Sequence, residues 1–172
     1  GIIAEGGEAP NIVPERARVE IYVRAYDQRI LDSLVARVRA CAEGAALQTG
    51  CTVEVALAAP AYDAMATNEP LAARFAANLD RIGHPRERTV SRTMASTDLG
   101  NVATRLPVIH PYLAMGEGLV CHTPEFAVAS GDARGRRLVV DGAKALAMTA
   151  LDFLLDPDLA PAVGAAHAKG AA

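Results

Sequence analysis

Between positions 17 and 25 apolar and polar residues alternate, Val19, Ile21 and Val23 interleaving with Arg18, Glu20, Tyr22 and Arg24. A two-residue period marks a half-buried strand. The period then lengthens. Behind Asp27, a predicted N-cap, Ile30, Leu34, Val38, Cys41 and Ala45 recur at helical spacing as far as Gly50. They predict one long amphipathic helix. Alternation returns over residues 51–57 through Val53 and Val55, predicting another strand. Ile2 and Ile3 add a short strand, broken by Gly6-Gly7-Glu8-Ala9-Pro10. The order strand, strand, helix, strand is the larger part of an α+β sandwich, one helix packed on an antiparallel sheet.

Ala58-Ala59-Pro60 interrupts the pattern, and the reading places a domain boundary near residue 61. Residues 71–82 then read as a helix ended by Gly83-His84-Pro85. Residues 97–118 carry Gly100, Pro107, Pro111, Gly116 and Gly118 among short apolar stretches, which predicts strands and loops that position side chains. A second long helix runs from about Asp132 to Leu155, with Leu138, Ala145, Leu146, Thr149 and Phe153 on its expected buried face. Asp156-Pro157 stops it, and the Ala-rich tail with His167 and Lys169 reads as a surface helix. No internal repeat or low-complexity linker interrupts this order.

Composition changes the picture little. About half of the 172 residues are apolar and under a quarter charged, a globular balance, and with no Trp and three Phe the core relies on aliphatic side chains. The net charge of −3 gives no basic face for nucleic acid, and Arg134, Arg136 and Arg137 read as a solvated helix start. No apolar run nears the roughly 20 residues that span a bilayer. The first residues show no signal-peptide pattern and no initiator Met, as a trimmed or truncated chain would. Three cysteines without close pairing fit a reducing, cytoplasmic compartment, with Cys41 and Cys51 expected in the core. Cys121 beside His122 invites a cysteine-nucleophile reading. That chemistry needs a His adjacent in space, which sequence adjacency does not supply.

Four segments could carry chemistry. Asn11 precedes the strand that ends at Arg24. An amide and a guanidinium converging there could hold a carboxylate or an oxyanion, and a turn-forming Asn with a solvent-facing Arg explains the same residues. Ser96-Thr97-Asp98-Leu99-Gly100-Asn101 suits a loop that approaches a ligand, or equally a capped turn. Gly116-Glu117-Gly118 leads to His122-Thr123-Pro124-Glu125-Phe126, where a His just before a Pro-started helix could serve as a metal ligand. His110-Pro111-Tyr112 contributes a His read as structural or supporting.

Taken together and in this order, these segments resemble the dinuclear-zinc amidohydrolases, the family of aminoacylase and carboxypeptidase G. Residues 6–14 look like part of its lid. Residues 96–102, 107–112 and 122–126 look like the close of its catalytic domain. Residues 143–152, Ala143-Lys144-Ala145-Leu146-Ala147-Met148-Thr149-Ala150-Leu151-Asp152, are similar to the last long helix of the branch containing beta-alanyl-lysine dipeptidase and aminobenzoyl-glutamate hydrolase. The resemblance implies a mixed α/β and α+β chain. Residues 1–60 would be a partial ferredoxin-like lid, an antiparallel sheet with a helix, lacking its first strand and helix. Residues 61–172 would be the C-terminal part of an α/β zinc-peptidase catalytic domain.

The resemblance also implies roles. His122 matches a metal ligand, Asn11 and Arg24 match lid residues that grip the substrate's carbonyl and carboxylate, and Asp98 and Asn101 lie on a loop near the site. Two divalent metal ions, zinc in the family's pattern, would acidify a water for attack on an amide. The substrate would be a small N-acyl amino acid or dipeptide, and the lid would form a homodimer. The family's other ligands come from a His-x-Asp motif and a Glu-Glu pair holding the general base. This chain has neither, so it is expected to be inactive alone, with no catalytic residue of its own. A different class, a non-catalytic dimerisation or binding module, is the alternative that those absences favour.

Overall fold

The computed structural model describes residues 1–84 and 97–170. They are mostly helical, with one two-stranded antiparallel sheet. The chain divides into two compact units, residues 1–64 and 65–172.

In the first unit β1 (Ile2–Glu5) pairs with β2 (Arg18–Glu20), Ile2 opposite Glu20 and Ile3 opposite Val19. The alternation over residues 17–25 thus forms a strand only where β1 offers a partner. Ile21 and Val23 lie beyond the ladder. An exposed ion pair from Arg18 to Glu5 (3.2 Å) ties the two strands at the surface, and Arg18 also pairs with Glu20 of its own strand at 3.1 Å. Helix α1 (Gln28–Thr49) follows as the spacing predicts. Asp27 caps it, accepting from the Arg29 and Ile30 amides, and Gly50 ends it at φ 70°, where a residue without Cβ is at ease.

The predicted strand over residues 51–57 is not present. A strand needs a neighbour to satisfy its backbone groups. The ladder among the described residues ends at β1 and β2, and Val53, Val55 and Leu57 remain exposed. Cys41 and Cys51 are exposed rather than in the core, as is Cys121. Helix α1 buries none of its residues, so its apolar stripe has no layer to make a core for Cys41.

The second unit is built on α2 (Glu69–Arg81), α3 (Leu99–Ala103), α4 (Pro124–Gly131), α5 (Ala133–Leu155) and α6 (Leu159–Gly170). Phe75 and Leu79 of α2 meet Ala145 of α5, with Ile82, Ile109 and Leu113 packed around them. Ala145 lets the two helices approach closely. Polar groups share this interface. Asn78 is buried, and its amide donates to Thr149 Oγ1 (3.2 Å) and Asp152 Oδ2 (2.9 Å). Asn68 caps α2 and also donates to the Val163 carbonyl of α6 at 3.0 Å. Residues 104–118 form loops, without the strands expected there.

On α5 the expected buried face is only partly buried. Ala145 and Thr149 are buried, but Leu146 is 50% and Phe153 38% exposed. The buried residues of α5 are instead Gly135, Asp141, Ala145 and Thr149, with Gly135 against α4.

Candidate functional site

Within the first unit, Asn11 lies in the connection leaving the Glu5/Arg18 end of the ladder, in a turn where the Ile12 amide donates to the Ala9 carbonyl at 3.2 Å. Arg24 follows the Ile2/Glu20 end of the same ladder. The hairpin topology therefore sends the two residues off opposite ends of the sheet. Both are exposed. The Arg24 guanidinium lies 5.5 Å from the centroid of the Tyr22 ring, a cation–π contact.

Within the second unit, Asp98 and Asn101 sit at the start and in the body of α3, both exposed. Thr97 Oγ1 accepts from the Leu99 amide at 3.2 Å and the Asp98 carbonyl accepts from the Asn101 amide at 3.0 Å, so the turn is capped by Thr97 rather than by Asp98. Gly100 and Ala103 are the buried side of this helix, which leaves the Asp98 and Asn101 side chains outward. Ser96 lies outside the described residues.

His122 is exposed in a tight turn before α4. Its backbone is left-handed, φ 68°, the only non-glycine residue so placed among the described residues. Thr123 caps α4 by accepting from the Phe126 amide at 3.3 Å, and Pro124 opens the helix. His110 is exposed and stacks at a tilt on Tyr112, ring centroids 5.0 Å apart.

Among the described residues, no three His, Cys, Asp or Glu side chains come together as a metal-binding group. His122 alone does not make a metal centre, because zinc sites use three or four protein ligands. The described residues do not fit a dinuclear centre by themselves.

The strongest electrostatic constellation lies elsewhere and drew no attention in the sequence. His84 Nδ1 is 3.1 Å from Asp141 Oδ2, and the Arg137 Nε is 3.5 Å from the same oxygen. The hydrogen bond from His84 holds the Asp141 carboxyl below its ordinary range, with Arg137 adding to the effect. About three turns or more further along the α2–α5 pair, Arg74 pairs with Asp156 and lies 3.6 Å from Asp152. The spacing of Arg137 and Asp141 by one helical turn was a local signal. His84 was legible only as part of a helix stop.

Compared with known proteins, the chain is similar to peptidases and amidohydrolases. Its particular relatives are dipeptidases above all. It is 35% identical over 162 residues to the Xaa-Arg dipeptidase of Mus musculus, covering 92% of this chain and 38% of that protein. The Xaa-Arg dipeptidase of Homo sapiens is also 35% identical over 162 residues, with 92% and 37% covered. The N-acetyldiaminopimelate deacetylase of Leuconostoc citreum (strain KM20) is 21% identical over 126 residues, covering 73% of this chain and 33% of the relative. The chain thus spans less than two-fifths of the length of the dipeptidases it matches. No protein-family model matches it. No helix among the described residues is long and apolar enough to cross a membrane.

Proposed function

We propose that these 172 residues are part of a longer amidohydrolase or dipeptidase that cleaves the amide bond of small dipeptides or N-acyl amino acids. The observation that carries this reading is 35% identity extending over 92% of the chain to proteins named for dipeptide hydrolysis. Their name points to a dipeptide with a C-terminal arginine as the first substrate to try. In this reading Arg24 binds the substrate carboxylate and Asn11 its carbonyl. Asp98 and Asn101 border the site, and His122 is one ligand of a two-metal centre, zinc by expectation. The general base and the other ligands belong to polypeptide outside this chain, which is therefore inactive alone. Residues 1–60 act as lid and dimer contact, and residues 61–172 as the close of the catalytic domain.

The experiment is steady-state hydrolysis by the full-length protein and its Arg24→Ala variant. Loss of the guanidinium is expected to lower kcat/KM by about 100-fold for carboxylate-bearing substrates, since misplacing a substrate by an ångström costs about that much. Unchanged kinetics in the variant would remove Arg24 from the site.

A second reading, a non-catalytic dimerisation module, draws support from α1, a 22-residue helix with no buried residue. It requires a protein that dimerises and hydrolyses nothing. Sedimentation together with the same assay separates the two.

A further inference from the structure

We infer that Thr123 is a positioning residue, holding the His122 imidazole in place through the hydrogen bond its hydroxyl donates to the Val120 carbonyl. This rests on the reading of His122 as a site residue.

The Thr123 hydroxyl does two things at once. It accepts from the Phe126 amide at 3.3 Å, which caps α4, and it donates to the Val120 carbonyl at 2.9 Å. The cap needs only the first bond. The second reaches back across His122 and closes the turn from Val120 to Thr123. His122, inside that turn, has φ 68°, a conformation that few residues with a Cβ adopt and that the surrounding turn helps to hold. Downstream the chain is fixed as well. Thr123 is extended, φ −110° and ψ 157°, and Pro124 after it disfavours the helical alternative. The hydroxyl bond on one side and the proline on the other leave His122 little choice of backbone direction, so its Cα–Cβ bond leaves the turn in one direction and its rotamers sweep one region. Helix capping alone gives no reason for the backward bond.

The test uses the full-length protein with Thr123→Val, Thr123→Ser, Thr123→Asp and His122→Ala. Crystal structures, Tm and kcat/KM on a C-terminal-arginine dipeptide are compared. Valine keeps the shape and loses both bonds. The expectation is a His122 φ returned to negative values, a displaced imidazole and a fall of about 100-fold carried by kcat rather than KM. Serine keeps both bonds and restores conformation and turnover. Aspartate keeps the cap but, ionised, has no proton to donate to Val120, so Tm is retained while His122 still moves. An undisplaced imidazole in the valine or aspartate variant overturns the inference, as does a serine variant as impaired as valine. His122→Ala separates the two levels. Full turnover there defeats the reading of His122 itself, whereas an inactive His122→Ala beside a fully active Thr123→Val defeats only the positioning role.

Discussion

Asn78 is the residue on which the second unit's interior turns. Its buried amide donates to Thr149 and Asp152, while its carbonyl accepts from Arg81 Nη1 at 3.1 Å. Thr149 Oγ1 in turn donates to the Ala145 carbonyl at 2.7 Å. Every buried polar side-chain atom among the described residues has a partner. Removing one member strands the others, which costs more than the bond itself contributed. Asn78→Ala is therefore expected to lose about 1–3 kcal/mol, read as a lower urea midpoint with an unchanged slope.

A pH dependence belongs to the same scale. Asp141 is held below its ordinary value of 3.8 first by the hydrogen bond from His84, and Asp156 is lowered by the Asp158 amide and by Arg74. A carboxylate whose folded value is depressed contributes stability above its unfolded value and loses it as pH falls through the folded one. Acid titration of the urea midpoint should show that loss below the ordinary carboxylate range, and Asp141→Asn should flatten part of it. An identical acid slope in the variant would mean that the His84 bond does not favour the ionised form. None of these partners was legible in the sequence. Helical spacing identifies a face, but only the packed structure reveals that Asn78 and Asp141 are on the inside while Leu146 is half exposed.

At the level of elements, the boundaries that the sequence made legible are those marked by side-chain chemistry. Asp27 and Asp132 cap α1 and α5 by accepting amides two and three residues on, and Pro124 opens α4. Such signals are local and survive whatever the rest of the chain does. Strands differ, since their stability lies in a partner that sequence alone does not position. That is why residues 51–57 alternate correctly and still form no strand.

The turn between α4 and α5 adds a constraint of close approach. A Cβ at Gly135 would overlap the Ser130 carbonyl, so Gly135→Ala forces the two helices apart. It should destabilise by about 1–3 kcal/mol, the usual cost of overpacking. Stability equal to wild type in denaturant melts would mean that the turn relaxes freely.

At the scale of the molecule, the described residues are thinly cored for their number. Buried hydrophobic residues among those described are few and small, chiefly alanines beside Phe75, Leu79, Leu159 and Val163. On α5 the outward aliphatic residues Val139, Leu151 and Leu154 are 73%, 56% and 76% exposed. Exposure of several large aliphatic side chains on one helix is what a surface covered by another part of a longer protein would show. It accords with the proposal of a longer enzyme and with a match reaching 38% of a dipeptidase.

The resemblance to dipeptidases and deacetylases was legible in four short motifs in one order, and the chain's similarity to such proteins agrees with it. The site was less so, because its candidates divide between two units and His122 brings no second ligand with it. The most direct measurement is amino-acid release by the purified full-length protein from dipeptides with and without a C-terminal arginine. The account predicts hydrolysis, with the arginine dipeptides among the substrates. A folded full-length protein that, supplied with zinc, releases nothing from any dipeptide or N-acyl amino acid would contradict it.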